Sequence, residues 1–264
     1  MVIILGPGFT GKRLARRLQC AAFAPVRGID RHRDLESVGL QISEWNLITP
    51  EAMGLPKHAK IAWTIPPLPE PDRKALRQSV EQLEPARIVY VWSTGVYGNA
   101  THVDEQTAVA PSDDRGRARL EEEQWIAAGP WSSLILRAAA IYGPGRGVHA
   151  ALKEGRVPRG SGGGLVSRVH VHDLAALIHA GLDSTLEGAW PVADEEPCSS
   201  DEIIRWCADY LHLDHTEQTQ TAGGAITGRS VNGKQICELL GVDLKYPSWR
   251  TGVPASLQEE STTL

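Results

Sequence analysis

The sequence lacks the features that mark most zinc-binding, secreted and membrane-spanning proteins. Its four cysteines lie far apart, with no CxxC pair and no paired histidines nearby, so neither a metal site nor a disulfide framework is indicated. No stretch approaches the eighteen or so apolar residues of a membrane-spanning helix. Only the four apolar residues 2–5 precede the first glycine, too few for the core of a secretory signal. We therefore expect a cytoplasmic protein that does not bind membranes.

Strong charge of one sign is also missing. The 264 residues carry a formal net charge of −5, and no run of lysine or arginine is long enough to follow a phosphate backbone. We therefore expect a small-molecule substrate and no nucleic-acid partner. The length suits one large α/β domain, or a nucleotide-binding domain with a smaller lobe, in a monomer or a homodimer.

What the sequence does contain is an alternation of strands and amphipathic helices. Residues 2–5 form an apolar, β-branched run typical of a buried parallel strand, and residues 10–18 repeat apolar positions at helical spacing. Further strands are predicted at 26–29, 61–65, 87–92, 133–136 and 169–171, and helices from Asp173 and from Ser200 as N-cap. This order predicts an α/β fold with a Rossmann-type, doubly wound parallel sheet.

The pattern becomes less regular after residue 142, and a glycine-rich segment follows at 160–164. We predict a dinucleotide-binding domain at 1–142, to which residues 165–185 return. Residues 143–164 and 186–264 are predicted to form a small C-terminal substrate lobe.

The first strand runs into the sequence GPGFTG at 6–11, and the first helix follows at once. A pyrophosphate binds well at a helix N-terminus, because unpaired backbone N–H groups and the helix dipole favour negative charge. Gly6 would form the tight turn, Gly8 would admit the phosphates and Gly11 would let the helix pack close to the strand. The sequence therefore predicts an NAD or NADP site. Its predicted cofactor contacts are Gly6, Gly8, Phe9, Thr10, Gly11, Asp30, Arg31, Ile65 and Ser93.

The residues near position 30 leave the choice of cofactor open. Asp30 lies at the end of the predicted second strand, where a carboxylate binds the adenosine ribose hydroxyls and repels a 2′-phosphate, which favours NAD. A nearby guanidinium would instead bind the phosphate of NADP, and three arginines offer one: Arg27, Arg31 and Arg33. We favour NAD slightly. In the alternative interpretation Asp30 only caps a turn.

Five segments follow one another in an order known from one family. They are GPGFTG at 6–11, VWSTGVYG at 91–98, LRAAAIYGPGR at 136–146, RVHVHDLA at 168–175, and VNGK at 231–234 leading to YP at 246–247. On these segments the chain resembles the extended short-chain dehydrogenase/reductases, or NAD-dependent epimerase/dehydratases, especially their atypical members. The resemblance implies an oxidoreductase or epimerase-like enzyme acting on a small hydroxylated or nucleotide-sugar-like substrate.

The same resemblance implies roles for individual residues. Ser93, with Thr94 beside it, occupies the position of the family's serine or threonine that binds the reacting oxygen. The family's catalytic tyrosine, four residues before a lysine, has no counterpart here. Arg115 and Arg119 align with these two positions, and arginine stays protonated at neutral pH, so it cannot act as a general base. The usual proton relay is therefore absent.

The helix that carries the two arginines allows two interpretations. Arg117 with Glu121, and Arg119 with Glu123, have the spacing of surface ion pairs, whereas Arg115 and Arg119 could together bind an anion. Tyr142 is the tyrosine that we place nearest the nicotinamide, as a further catalytic candidate, whereas Tyr97 is expected to pack beneath the site. The candidate substrate contacts are Arg115, Arg119, Arg146, Arg168 and His170.

Two functions remain open at this stage. The first is an NAD(P)-dependent enzyme in which Ser93 orients the reacting oxygen. The second is a non-catalytic NAD(P)-binding sensor or scaffold, since the tyrosine and lysine are missing. A binding domain without any dinucleotide is a third, weaker alternative.

Overall fold

A seven-stranded parallel sheet forms the centre of the protein. The computed structural model describes residues 1–18, 22–27, 29–44, 54–156, 163–213 and 228–262. In chain order the strands are β1 Val2–Leu5, β2 Ala22–Val26, β3 Leu40–Glu44, β4 Lys60–Trp63, β5 Arg87–Ser93, β6 His102–Val103, β7 Ser132–Ala138, β8 Ala140–Tyr142, β9 Leu165–Val166, β10 Arg168–His170, β11 Gly188–Val192, β12 Cys198–Ser199 and β13 Ser230–Val231. The main sheet has the order β11-β7-β5-β4-β1-β2-β3, with every pairing parallel.

Helices cover both faces of this sheet. They are α1 Phe9–Leu18, α2 Asp72–Leu83, α3 Asp114–Ala127, α4 Val148–Lys153, α5 Val171–Asp183, α6 Ser200–Tyr210, α7 Lys234–Leu240 and α8 Trp249–Thr262, with 3-10 helices at Ile29–Val38 and Thr94–Tyr97. The strand order reverses direction between β1 and β4, which creates the crevice where such folds bind ligands. The predicted Rossmann-type fold is confirmed.

The alternation of apolar side chains along β1 explains the two layers. Val2 and Ile4 point to the face covered by α1, α5 and α7, whereas Ile3 and Leu5 point to the face covered by α2 and α3. Each face therefore buries its own hydrophobic cluster. Because both of its faces are buried, β1 reads as a continuous apolar run in the sequence.

A separate apolar cluster joins α4, α6 and α8 beyond the sheet. It contains Tyr142, Leu152, Ile203, Cys207 and Trp249. Residues from the predicted substrate lobe thus pack together, although the division of the chain into two domains remains a prediction. One segment of that lobe lies elsewhere, because β11 pairs with β7 as the edge strand of the main sheet.

Several predicted boundaries differ from the structure. The second strand ends at Val26, and Ile29 begins a 3-10 helix instead of ending the strand. The N-cap of α6 is Ser199, whose side chain accepts a hydrogen bond from Glu202 N, so the prediction of Ser200 was wrong by one residue. Most of the glycine-rich segment 160–164, and the Arg31 side chain, fall outside the described residues.

Among the helices that the structure describes, none combines the length and the apolar character required to cross a membrane.

Candidate cofactor and substrate site

The glycine turn lies at the carboxyl end of β1 and opens directly into α1. Gly6 has a φ of +88°, and a Cβ there would come within 2.3 Å of the Ile65 side chain. At Gly11 a Cβ would come within 2.5 Å of the Gly6 carbonyl oxygen. Both glycines are therefore required by packing, and Ile65 lies against the turn.

Gly8 differs from its two neighbours because it faces open space. A Cβ at this position would have no atom within 4 Å, and the residue is exposed at the beginning of α1. The first-turn amides of a helix have no partner within the helix and attract anions. The turn therefore fits a pyrophosphate at the place where only a small residue leaves room for it.

The charged residues near position 30, which are predicted to bind the adenosine ribose, form ion pairs with different partners. Asp30 is exposed and pairs with Arg33, with 3.0 Å between Oδ1 and Nε. Arg27 instead pairs with Asp72 at the start of α2, at 2.7 Å. Arg33 therefore stays beside Asp30 on the same short helix, whereas Arg27 is directed to α2. The choice between NAD and NADP is still open on this geometry.

Phe9 connects the glycine turn with the loop that follows Tyr142. The guanidinium carbon of Arg146 lies 5.1 Å from the centre of the Phe9 ring, and that of Arg13 lies 4.2 Å away. Arg13 also donates hydrogen bonds to the Phe9 and Pro144 carbonyl oxygens. The predicted substrate residue Arg146 is thus placed beside the cofactor turn.

Ser93 ends β5 and caps the short helix Thr94–Tyr97. Its Oγ accepts a hydrogen bond from Gly95 N–H at 3.2 Å, so its own O–H remains a donor for another oxygen. Thr94 beside it is 8% exposed and is less accessible to a substrate. The carbonyl oxygens of Thr94 and Gly98 both accept hydrogen bonds from Arg229, which fixes this loop to the segment before β13.

Arg119 projects from α3 toward Ser93. Its guanidinium carbon lies 4.1 Å from the centre of the Trp92 ring, and its Nη1 lies 3.1 Å from the point where a Cβ on Gly95 would stand. Burial lowers the pKa of Arg119, and Arg115 one turn earlier lowers it further. Arg115 itself is exposed. The structure thus brings Arg119, but not Arg115, into contact with the Ser93 loop.

The surface ion pairs predicted for this helix are wrong. Arg117 pairs with Asp114, and Glu121 pairs with Arg73 of α2. Glu123 is buried and pairs with Arg137 of β7 at 2.8 Å instead of with Arg119. Glu123 pairs with Arg137 because its side chain faces the sheet, where a buried carboxylate needs a buried cation.

Tyr97 belongs to the same buried network. Its hydroxyl accepts a hydrogen bond from Arg137 Nη1 at 3.1 Å, and the side chain is 1% exposed. It therefore packs beneath the loop, as predicted.

The remaining catalytic candidate, Tyr142, is buried against α8. Its hydroxyl lies 3.5 Å from the Ser248 carbonyl oxygen, and a Cβ on Gly252 of α8 would collide with it. Burial raises the pKa of Tyr142 above its usual range, with Asp194 as a further cause. The prediction that Tyr142 is available for proton transfer is not supported by this position, because α8 covers its hydroxyl.

His170 is a structural residue. Its Nδ1 accepts a hydrogen bond from His172 N as the N-cap of α5, and its Nε2 lies 3.1 Å from Ser256 Oγ. Burial lowers the pKa of His170 to about 3. The residue is 1% exposed and both ring nitrogens are engaged, so this position does not support the predicted substrate contact of His170.

Arg168 is buried at the start of β10. It donates hydrogen bonds to the Val166 carbonyl oxygen and to Cys198 Sγ, and it lines a cavity of about 290 Å³ together with Tyr142 and His149. A larger cavity of about 910 Å³ lies between the end of β11 and α7 and is lined by neither the glycine turn nor Ser93. Neither cavity is lined by both Arg168 and Ser93.

Sequence reasoning missed three residues that hold the site together. Thr64 follows β4, and its hydroxyl donates a hydrogen bond to the Gly6 carbonyl oxygen at 2.6 Å. Arg13 links the turn to Pro144, and Arg229 holds the Ser93 loop. No spacing rule identifies them, because each contacts residues more than 50 positions away in the chain.

Comparisons with known proteins agree with this fold. No protein-family model matches the chain. Protein YeeZ of Escherichia coli (strain K12) is 30% identical over 164 residues, which cover 61% of this chain and 59% of YeeZ. A 3-diazoavenalumate denitrifying reductase of a Streptomyces species is 28% identical over 158 residues, which cover 52% of this chain and 51% of the reductase. The chain therefore matches only about half to three fifths of the length of these curated relatives.

Solved structures match over nearly the whole chain. A functionally unknown conserved protein from Silicibacter pomeroyi has a TM-score of 0.81 at 28% identity and covers 98% of both chains. The Bordetella bronchiseptica enzyme WbmG, solved in complex with NAD and UDP, has a TM-score of 0.79 at 16% identity, covering 99% of this chain and 95% of the enzyme. The structural neighbours include NAD-dependent epimerase/dehydratase-type proteins and UDP-sugar epimerases. The resemblance predicted from the sequence is confirmed at the level of the fold.

Proposed function

We propose that this chain, which has the fold of the NAD-dependent epimerases and dehydratases, is an NAD(P)-dependent oxidoreductase that acts on a small oxygen-bearing substrate. The observation that carries the proposal is Gly8, which leaves open space at the N-terminus of α1, at the point where the strand order reverses. Solved neighbours with this fold bind NAD, which supports the same cofactor here. A nicotinamide cofactor would supply or accept the hydride.

The residues of the chain divide the remaining tasks. The first turn of α1 binds the pyrophosphate, and Asp30 with Arg33 binds the adenosine ribose. Ser93 donates its O–H to the reacting oxygen of the substrate, since its Oγ only accepts the hydrogen bond from Gly95 N–H and its hydrogen remains free to donate. Arg229 keeps that loop in place through two backbone carbonyl oxygens.

The site favours reduction over epimerisation. Oxidising a substrate hydroxyl requires a base to take its proton, and Arg119 cannot do so at neutral pH. Tyr142 is covered by α8, and His170 is buried and bonded on both nitrogens. In a reduction, hydride transfer to the carbonyl carbon leaves an alkoxide oxygen, which is basic enough to take its proton from solvent. A relative that is itself named a reductase is consistent with this choice.

The test has two stages. Calorimetric titration of the purified protein with NAD(H) and NADP(H) should show saturable binding of at least one of them. Cofactor oxidation is then followed in the presence of carbonyl compounds, and Ser93→Ala should abolish the turnover that wild type shows. Ser112→Ala, an exposed serine outside the cleft, is the matched control. Turnover that survives Ser93→Ala would remove the proposed role of Ser93.

A second candidate function is a cofactor-binding sensor without turnover. It is favoured by one observation: arginines occupy both positions of the missing proton relay. This candidate predicts cofactor binding with no oxidation across a broad carbonyl panel, together with a change in the affinity for a partner molecule. Sustained turnover of any substrate by the wild-type protein would exclude it.

A further inference from the structure

Arg168 carries a positive charge inside the protein. It is 5% exposed, and its Nη1 donates hydrogen bonds to the Val166 carbonyl oxygen at 2.8 Å and to Cys198 Sγ at 3.1 Å. Burial raises the pKa of Cys198 to about 11, so both of these partners are neutral at neutral pH. Within the part of the chain that the structure describes, Arg168 forms no ion pair with an acidic side chain.

Asp194 interacts with Arg168 electrostatically without forming such a pair. Burial raises the pKa of Asp194 to about 8, although Arg168 and the backbone N–H groups of Arg168 and Glu196 counteract part of this effect. At neutral pH the carboxyl group is therefore mostly protonated and does not neutralise the guanidinium. A buried charge without an ionised partner is costly unless a ligand compensates it.

A cavity adjoins this buried cation. Its volume of about 290 Å³ is close to the lower end of the range for small-molecule pockets. Arg168 lines it together with Val166, whose carbonyl oxygen accepts the hydrogen bond from Arg168. Arg156 also lines the cavity, but it is exposed and pairs with Glu154 at 2.6 Å. Most of the remaining wall is apolar and includes Ile141, Val148, Ala151, Ile203 and Val253.

His149 adds to the same cavity a polar atom without a partner. The side chain is fully buried, and burial lowers its pKa, so the ring is neutral. Nε2 lies 3.1 Å from the Gly143 carbonyl oxygen, which only accepts, so Nε2 carries the hydrogen and Nδ1 is an acceptor. Nδ1 has no hydrogen-bond partner among the described residues. An entirely apolar occupant would therefore leave both this nitrogen and the Arg168 charge unsatisfied.

We propose that this cavity binds a small carboxylic acid, whose carboxylate pairs with Arg168 and whose hydrocarbon part contacts the apolar wall. A planar carboxylate matches the fork of a guanidinium and supplies the single negative charge that one arginine neutralises. The cavity extends toward Ser93, because Ala140 lines it and lies two residues after Ala138, which pairs with Ser93 between β5 and β7. The proposal deepens and rests on the proposed function, since it narrows the oxygen-bearing substrate to a carboxylic acid.

The experiment compares a carboxylate with its neutral isostere. Fluorobenzoate and fluorobenzamide have nearly the same shape, and ligand-observed fluorine NMR measures the Kd of each for the full chain, with and without NAD(H). We expect wild type to bind fluorobenzoate about tenfold or more tightly than fluorobenzamide, as a charge-assisted hydrogen bond allows. Arg168→Gln should abolish the preference, and Arg168→Lys should keep only part of it, because lysine lacks the planar fork.

Arg205→Gln is the matched control, because Arg205 is exposed on α6, the helix that also carries Ile203 of the cavity wall. It removes the same charge and should leave the preference unchanged. Ala151→Leu tests the location while it keeps Arg168, because Ala151 of α4 borders the cavity and a leucine there would fill part of it. We expect this variant to weaken the binding of both compounds.

Thermal unfolding shows that each variant is folded before its affinities are compared. Equal affinity of wild type for the two compounds would overturn the proposal. So would a preference that Arg168→Gln leaves intact, or unchanged binding by folded Ala151→Leu.

Two further arms keep the outcomes distinct. Phenyl phosphate that competes with fluorobenzoate more strongly than benzoate does would assign the site to a phosphate and so overturn the proposed class. Cofactor titration of the same variants is read separately. Carboxylate binding without cofactor binding would contradict the proposed function and leave this site standing, whereas cofactor binding without a carboxylate preference would contradict only this site.

Discussion

At the scale of single residues, the cofactor site depends on the different surroundings of three glycines. Gly6 and Gly11 are enclosed by backbone and by Ile65, whereas Gly8 faces open space. The three therefore look alike in the sequence but have different physical reasons for being glycine. Substituting Gly8 should therefore change cofactor affinity, whereas substituting Gly11 should change the stability of the fold.

We predict that Gly8→Leu weakens NAD(P) binding by about tenfold or more, equivalent to about 1.4 kcal/mol, without changing Tm. The leucine has room in the protein but occupies the space of the pyrophosphate. Gly11→Ala should lower Tm instead, because its Cβ would come within 2.5 Å of the Gly6 carbonyl oxygen. Calorimetry and thermal unfolding measure the two effects, and an unchanged cofactor Kd for Gly8→Leu would refute the assignment of the site.

Cofactor choice is a second property set by single residues. Asp30→Ser should raise the affinity for NADP relative to NAD, because it removes the carboxylate that repels a 2′-phosphate and releases Arg33 from its ion pair. The measurement is the ratio of the two Kd values. Asp34→Ser, on the same short helix but paired with Lys12, is the control. If the ratio of the two Kd values shifts equally in both variants, the effect comes from the change in net charge and not from Asp30 itself.

At the scale of elements, α3 is attached to the sheet by a buried ion pair. Glu123 of α3 is 2% exposed and bonds to Arg137 of β7, which also reaches Tyr97 below the Ser93 loop. Burial raises the pKa of Glu123, although Arg137 counteracts part of this effect. One arginine thus aligns the helix that carries Arg119 with the loop that carries Ser93.

We predict that Arg137→Met lowers the free energy of unfolding by about 3–5 kcal/mol, because it leaves Glu123 buried without a partner. Lys60→Met is the control, since it breaks the exposed pair with Asp183 and should cost less than about 1 kcal/mol. Urea unfolding followed by tryptophan fluorescence measures both. Restored stability in the double variant with Glu123→Leu is expected, and equal losses for the two single variants would contradict the argument.

At the scale of the whole molecule, stability should depend on pH through Asp194. This carboxyl group follows β11, is 3% exposed, and burial raises its pKa to about 8 from an ordinary value of 3.8. Between these two pH values the unfolded chain loses the proton first, so folding becomes less favourable as the pH rises. Above about pH 8 the folded protein bears the full free-energy cost of burying the ionised Asp194 carboxylate.

We therefore predict that Asp194→Asn raises Tm relative to wild type, with a difference that grows from pH 5 to pH 9. Asparagine keeps the shape and a hydrogen-bond acceptor but has no proton to lose. Differential scanning calorimetry across this range gives the two curves. Asp201→Asn, on a partly exposed residue of α6, is the control, and parallel curves for wild type and Asp194→Asn would show that the carboxyl group titrates normally.

The sequence could predict what depends on local order along the chain. An apolar run, a glycine turn and an amphipathic helix are each contiguous, so residues 2–18 predicted strand, turn and helix correctly. The sequence could not place β11 in the main sheet. A strand of five residues carries no local signal that shows which strand it pairs with. Nor could the sequence identify the ion-pair partner of Glu123. Arg119 has the right spacing on the same helix, and only the fold shows that Arg137 of β7 lies closer.

The sequence by itself determined the fold class and the glycine turn, because each depends on which residues follow one another. The tertiary structure decided which side chains meet. It buried Tyr142 and His170, paired Glu121 and Glu123 with arginines of other elements, and stacked Arg119 on Trp92 beside the Ser93 loop. Burial and charge pairing act across space between segments far apart in the chain, so only the folded arrangement can settle them.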